Sequence, residues 1–432
     1  SDRVMACGKI DSVIADQPSR LYMDMMVPAN LAPIRQLVNN EDNTAFITED
    51  GQVWINGDNS HGQRGNGTSD NATYDKRRFT QVIGLPTNLL GIGSQSDGGT
   101  NITYGTATLN GDVYTWGANG NGQLGDGTTI DSAVPIQVVL PPLDFCNGGF
   151  QPNLTIGTAG PKSTAFACVS ATGDLIVWGS NVNGQFGLGN NVDVLSPTIV
   201  PGVTCRTGVS QNAPSIGLNG GDDNCVLRII KPDGTTWAAG NNNYGQLGDG
   251  TTVSSNVFVA DVTGATDVDR IGQGTDVLSV WASTSNELRM CGYNLQGQLG
   301  DGTFISKSTA VVPAFAGQNN IAQVAVNTLD ATGGAVFILC NDGTVYSAGS
   351  DVNGITGRGT VNVQNYPTFE RVYFPRNINI NQIVSAAIIS PPSLFVHFHA
   401  NDDSLWAMGS NSTGALGIEY VDDVAMPQRV RV

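Results

Sequence analysis

The sequence predicts an all-β fold: a seven-bladed β-propeller of four-stranded antiparallel blades. Three observations predict it. A glycine-rich loop recurs seven times at even spacing, apolar runs joined by Asx-Gly turns fill the intervals, and the acidic residues are almost all aspartate.

The loop is clearest as WGANGNGQLGDGTT, Trp116 to Thr129. Gly120, Gly122 and Gly125 have the GxGxxG spacing of a dinucleotide-binding turn, but that turn also needs a helix after it and an acidic residue further on. Here Thr, Ser, Pro and Val follow, and copies appear instead. They are GNNNYGQLGDGTT from Gly240, GYNLQGQLGDGTF from Gly292 and GSNVNGQFGLGNN from Gly179, with weaker ones from Gly57, Gly349 and Gly409. Counting Gly117 for the first, the leading glycines stand 60, 62, 61, 52, 57 and 60 residues apart. A period of this length marks a repeat array rather than a phosphate cradle.

One repeat shows the strands. In residues 153–200 the runs NLTIG, AFACVS, LIVWG and SPTIV read as four short strands. A Gly turn, ATGD and the Gly-Asn loop separate them. The turn before the third strand recurs as Asp50-Gly51, Asn110-Gly111, Thr172-Gly173, Asp233-Gly234 and Asp342-Gly343. Asx-Gly between apolar runs is a strong hairpin signal. Gln and Asp of GQLGDGT are expected to hydrogen-bond loop backbone, and Leu124, Leu247 and Leu299 to fill the space between blades.

Composition agrees. The chain has 432 residues, 55 of them glycine, and only 13% charged, so amphipathic helix has little to be built from. Five of the 37 acidic residues are glutamate. Asp favours turns and Glu favours helices, so strand and turn dominate. The net charge of −17 disfavours nucleic acid and anionic membranes, which select basic surfaces. The densest basic run, Lys76-Arg77-Arg78, is short and reads as a solvated loop. No run approaches the ~20 apolar residues of a membrane span, and the opening SDRVMACGKIDS has no apolar signal-peptide core. Seven cysteines with no CxxC pair argue against zinc and dithiol chemistry. Cys168, Cys225 and Cys340, set in apolar runs, are expected to be buried hydrophobes.

The pattern W/A-G-x-N-x-x-G-Q-L-G-x-G-T resembles the regulator of chromosome condensation family of seven-bladed propellers. The resemblance runs from about Asn30 to the end and implies the fold. It also implies guanine-nucleotide exchange as one family activity, and inhibition or recognition of another protein as others. Here the wedge hairpin and basic tail of the exchange-factor founder are not evident. The one notable insertion is PPLDFCNGGFQP, Pro141 to Pro152.

Variable loop positions are the candidate partner contacts: His61, Arg64, Tyr244, Tyr293 and Phe304, with Phe145 and Phe150 on the insertion. Aromatic residues and Arg are favoured at binding hot spots; padding between loops is the alternative. His397, His399 and Asp402, in LFVHFHANDD, are candidate metal ligands, with a structural hydrogen-bonding role as the competing reading. GGDDN (Gly220 to Asn224) and YVDDV could hold Ca²⁺, against Asx turns as the default. No cofactor is otherwise expected. GxSxG, HExxH and P-loop motifs are missing, and three histidines offer few general bases. No catalytic residue is assigned.

The expectation is a non-enzymatic protein-interaction or assembly module, not an enzyme. With five lysines and a surface rich in Asn, Thr, Gly and Asp, it reads as a structural or receptor-recognition component of a virus or phage particle: a tail, fibre or decoration protein. Its partners would be neighbouring subunits or a host surface receptor, and its place the virion or the extracellular space. The alternatives are a secreted propeller that inhibits or recognises another protein, and an exchange-factor-like regulator. Residues 30–432 are assigned to the propeller. Residues 1–29 hold two surplus strands, DRVMACG and SRLYMDMMVP, read as a ring-closing or assembly arm. First and last strands of the ring are expected to pair, leaving no free edge.

Overall fold

The computed structural model describes residues 5–8, 19–24, 31–39, 43–70, 78–96, 101–141, 153–157, 165–207, 215–219, 224–266, 268–271, 278–283, 287–329, 333–361, 364–390, 393–411, 416, 418 and 422–430. The fold is an all-β propeller of four-stranded antiparallel blades. Seven four-stranded sheets span residues 34–81, 89–137, 153–204, 216–260, 268–311, 321–372 and 380–429, and are called sheets 1 to 7. In each, four consecutive strands pair in sequence order. Among the described residues the only helical element is a single 3₁₀ turn, Val352–Gly354.

Sheet 3 shows why these residues make this unit. Its strands are Asn153–Gly157, Ala165–Val169, Asp174–Gly179 and Val194–Thr204, close to the four read from the sequence. The second is buried along its whole length and the third nearly so, while the fourth is mostly half-buried or exposed. Apolar runs therefore mark inner strands and mixed runs the outer one. Phe166 pairs with Trp178 across the central strands, and their rings stack at 5.3 Å. Tyr104 and Trp116 repeat the arrangement in sheet 2 at 5.5 Å. At the Asx-Gly turns Gly51, Gly111, Gly173, Gly234 and Gly343 all have positive φ. Sheet 7 places Asp403 there, with φ of 61°.

The chain divides into two compact units, Ser1–Val4 with Asp24–Asn241 and Ser254–Val259, and Met5–Met23 with Asn242–Val253 and Ala260–Val432. In the first, apolar cores join neighbours: sheets 1 and 2 around Ile47, Ile92 and Trp116, sheets 2 and 3 around Val113, Phe166 and Trp178, and sheets 3 and 4 around Val177, Phe186 and Leu227. In the second, Met290, Leu299 and Ile338 join sheets 5 and 6, and Phe337, Val396 and Met408 join sheets 6 and 7. Hydrophobic burial, the main driving force, is thus placed between sheets. Leu124, Leu247 and Leu299 are fully buried, as expected.

First and last strands of the array do not pair with each other: Val424–Arg429 pairs with Leu405–Gly409, and Ile34–Asn39 with Asn43–Thr48. Each sheet completes its four strands from its own segment, so strand exchange is not needed to fill any of them. In the N-terminal segment, Met5–Gly8 and Ser19–Asp24 form a separate two-stranded sheet.

Candidate functional site

The repeated loop joins the third and fourth strands of each sheet, and one buried asparagine organises it. In sheet 2, Asn119 Oδ1 accepts from Leu124 N at 2.8 Å. Its Nδ2 donates to Thr128 O at 3.1 Å, Ile130 O at 3.0 Å and Asp126 Oδ1 at 3.3 Å. Gln123 Oε1 closes the inner turn by accepting from Asn121 N at 2.8 Å. One amide side chain therefore satisfies backbone donors and acceptors that an irregular loop leaves unpaired.

The pattern recurs. Asn242 accepts from Leu247 N and donates to Thr251 O and Val253 O. Asn294 does so with Leu299 N, Thr303 O and Ile305 O. Asn59, Asn181 and Asn411 each accept from the residue five positions on. Gln63, Gln185, Gln246 and Gln298 play the part of Gln123. The sequence reading gave backbone bonding to Gln and Asp and overlooked this Asn, although its recurrence in all but one of the seven copies was visible.

The loops of sheets 1 to 6 are also latches onto the sheet that follows. Trp178 of sheet 3 donates its indole N–H to Gln123 O at 3.1 Å, as Trp116 of sheet 2 does to Gln63 O at 3.0 Å. Gly127 N donates to Leu195 O at 2.9 Å. Gly122, at φ +74°, shows why glycine is required: a Cβ would lie 2.3 Å from Leu195 Cδ2. In the second unit the Cys291 thiol replaces the indole, donating to Gln246 O at 3.4 Å.

An aspartate rivets successive loops. Asp193 Oδ1 accepts from Asn181 N at 2.8 Å in its own loop, and Oδ2 from Asn121 Nδ2 of the preceding loop at 3.2 Å. Asp423 joins Asn411 and Asn353 in the same way, at 2.9 and 2.6 Å. Asp131 joins Asn119 N at 2.8 Å and His61 Nδ1 at 2.6 Å.

These bonds redistribute the candidate contacts. His61 is the latch partner of Asp131 and remains half-exposed. Arg64 is buried at the position Leu124 occupies in sheet 2, its Nε donating to Gly57 O at 3.0 Å; it cannot touch a partner. Tyr293 is also buried, packed edge-on against half-buried Tyr244 with centroids 5.0 Å apart. Both fill the junction between two loops, the padding role that competed with recognition. Phe304 is exposed. Phe145 and Phe150 lie outside the described residues.

The candidate metal ligands do not converge. Asp402 accepts from Ser404 N at 3.1 Å and from its hydroxyl, bonds that hold its carboxyl below the usual range. His399 Nε2 lies 3.5 Å from Asp403 Oδ1. Burial lowers His397 to about 4, against the opposing hydrogen bond to Leu416 backbone. Neutral histidine can ligate a metal, but no group of three or more His, Cys, Asp or Glu that could hold one is present among the described residues. Of the Ca²⁺ candidates, Asp423 is the rivet already described, and residues 220–223 lie outside the described residues. Cys168, Cys225 and Cys340 are buried and form no disulfide among the described residues, and burial pushes Cys168 up to about 12 and Cys340 to about 11. Such thiols are unreactive as nucleophiles. Among the described residues no helix is long and apolar enough to cross a membrane.

Residues 110–145 match the model of the regulator of chromosome condensation (RCC1) repeat. The chain is 26% identical over 370 residues to mouse E3 ubiquitin-protein ligase HERC2, covering 81% of this chain and 7% of that protein. It is 36% identical over 136 residues to mouse secretion-regulating guanine nucleotide exchange factor, covering 32% and 25%. The chain thus spans a small part of either relative. Yeast RCC1 (Prp20), solved bound to Kap60, superposes with a TM-score of 0.58 at 17% identity, covering 98% of this chain and 90% of that one. The chain is thus similar to RCC1-repeat proteins in sequence and to yeast RCC1 in fold.

Proposed function

We propose that this RCC1-like propeller is a non-enzymatic protein-binding module whose seven sheets are seven blades. Recognition falls to the loops between third and fourth strands. The observation that carries this reading is a division of labour within each loop. Asn, Gln, Gly and the central apolar residue are buried and bonded, whereas neighbouring positions that differ between copies, such as Val182, Leu295 and Phe304, are exposed. A rigid frame with variable exposed positions is what a recognition surface requires. Solved yeast RCC1, bound to Kap60, shows a similar fold in a protein that binds other proteins.

The test compares proteins recovered by the full chain and by a chain with residues 303–306 and 251–254 replaced by Gly and Ser. Partners lost from the second chain support the reading; identical recoveries contradict it. The narrower assignment to a virus or phage particle draws on composition alone, and the relatives named above are a ubiquitin ligase and an exchange factor. A second reading, guanine-nucleotide exchange, is favoured by the similarity to the secretion-regulating factor. Its test is release of labelled GDP from small GTPases, with acceleration expected if it holds.

A further inference from the structure

The second unit carries an exposed apolar set at related loop positions. Val253 is 71% exposed, Leu295 55%, Phe304 45%, Ile305 65% and Val361 54%. Single exposed apolar residues are ordinary, but a cluster on neighbouring loops marks an interaction surface. These loops are neighbours by direct bonds. Gly250 N donates to Ser308 O at 2.8 Å, the Cys291 thiol bonds Gln246 O, and Tyr244 packs on Tyr293. Gly302 N donates at 2.8 Å to Pro367 O, in the strand that the loop bearing Val361 leads into.

The backbone beneath these side chains is fixed from inside. Val253 O and Ile305 O accept from Asn242 and Asn294, and Val253 N donates to Thr251 Oγ1 at 3.2 Å. Apolar groups held out into water on an anchored backbone lose little entropy when they are covered.

The charge around them selects what covers them. Asp249, Asp422 and Asp423 lie on or beside these loops, along with Asp301 and Glu370, which are held in ion pairs. Lys307 Nζ is paired with Asp301 at 3.3 Å and Arg358 Nη1 with Glu370 at 3.1 Å, so these two cations do not offset Asp249, Asp422 and Asp423. With the chain at −17, a second copy would be repelled, as would nucleic acid. We propose that loops 242–253, 292–306 and 351–361 form a docking surface for a cationic protein segment carrying aliphatic side chains between its lysines or arginines. This rests on the protein-binding reading above and names the partner's chemistry.

The test uses a labelled peptide alternating lysine and leucine, and its glutamate-leucine counterpart, followed by fluorescence anisotropy. The full chain should bind the lysine peptide, more weakly as salt rises, and not the glutamate peptide. The triple variant Val253→Ser, Phe304→Ser, Ile305→Ser should lose about ten-fold or more in affinity. A control with Val139→Ser and Tyr373→Ser, exposed apolar residues off these loops, should bind like the parent. If the triple variant melts early, Asp249→Asn with Asp422→Asn takes its place, with weaker binding and a flatter salt dependence expected. Equal loss in triple variant and control, or full binding by the triple variant, overturns the proposal. Partner loss in the Gly-Ser chain together with an indifferent peptide would sink this inference and leave the protein-binding reading standing.

Discussion

The loops of sheets 2 and 6 follow the same path with different chemistry. In sheet 2 the organiser is Asn119, with Gln123, Leu124 and Asp126 following; in sheet 6 these places hold Asp351, Ile355, Thr356 and Arg358. Asp351 keeps the acceptor half of the task, taking Thr356 N at 2.9 Å and the Thr356 hydroxyl on Oδ1. It has no donor to replace the amide N–H groups, and its Oδ2 is buried without a hydrogen-bond partner. Arg358 turns inward instead, giving Nη2 to Ser347 O at 2.8 Å. Burial lifts the Asp351 carboxyl above its ordinary range, against the Thr356 bonds and Arg358, which pull it down. The latch therefore tolerates loss of the donor at one junction.

The largest effect should come from giving sheet 2 the chemistry of sheet 6 without its compensations. Asn119→Asp removes the donor to Thr128 O and Ile130 O and sets a second carboxylate against Asp126. We expect a loss of about 3 kcal/mol at neutral pH in urea unfolding. An unchanged midpoint would mean that the asparagine is replaceable everywhere.

A smaller contrast separates two glycines of the same loops. At Gly125, φ +71°, an added Cβ would meet Trp178 Cδ1 at 2.9 Å; at Gly357, φ +74°, it would meet Met408 Sδ at 3.1 Å. Both alanine variants bear the left-handed backbone cost of about 1 kcal/mol. The buried indole cannot yield whereas the thioether can, so Gly125→Ala should cost about 1 kcal/mol more than Gly357→Ala. Equal losses would place the strain in the backbone alone.

The smallest effect is a gain. Asp351→Asn restores the missing donor and should add about 1 kcal/mol at pH 8. The sign with pH follows from linkage. A carboxyl raised by folding contributes its stability below the unfolded pKa of about 3.9 and loses it as pH rises through the folded value. The advantage of the variant should thus shrink as pH falls, read as converging melting temperatures. A constant difference would show that folding leaves the Asp351 carboxyl unshifted.

Much of the fold was legible because strands have a fixed side-chain period and hairpin turns a fixed residue chemistry. The four strands of sheet 3 and the glycines at 51, 111, 173, 234 and 343 follow directly from those rules. Loop side chains have no such period. Arg64 and Tyr293 stood among variable, polar surroundings, and only the approach of the next sheet decides that they are buried. Asp193 and Asp423 were hidden for the same reason, since their partners lie 72 and 70 residues away. Recurrence at fixed offset was the usable signal: an Asn five residues before the plugging residue, and in three loops an Asp twelve residues after that Asn.

The central claim is that the Asn-organised loop is the mechanical link between adjacent sheets. A double-mutant cycle on Asn119→Ala and Trp178→Phe measures it directly, because Trp178 meets the loop from the next sheet and donates to Gln123 O. Urea unfolding of both single variants and the double should give a coupling of about 1 kcal/mol, since a collapsed loop leaves the indole nothing to bond. Losses that add within about 0.3 kcal/mol would contradict the account and reduce the loop to a connector.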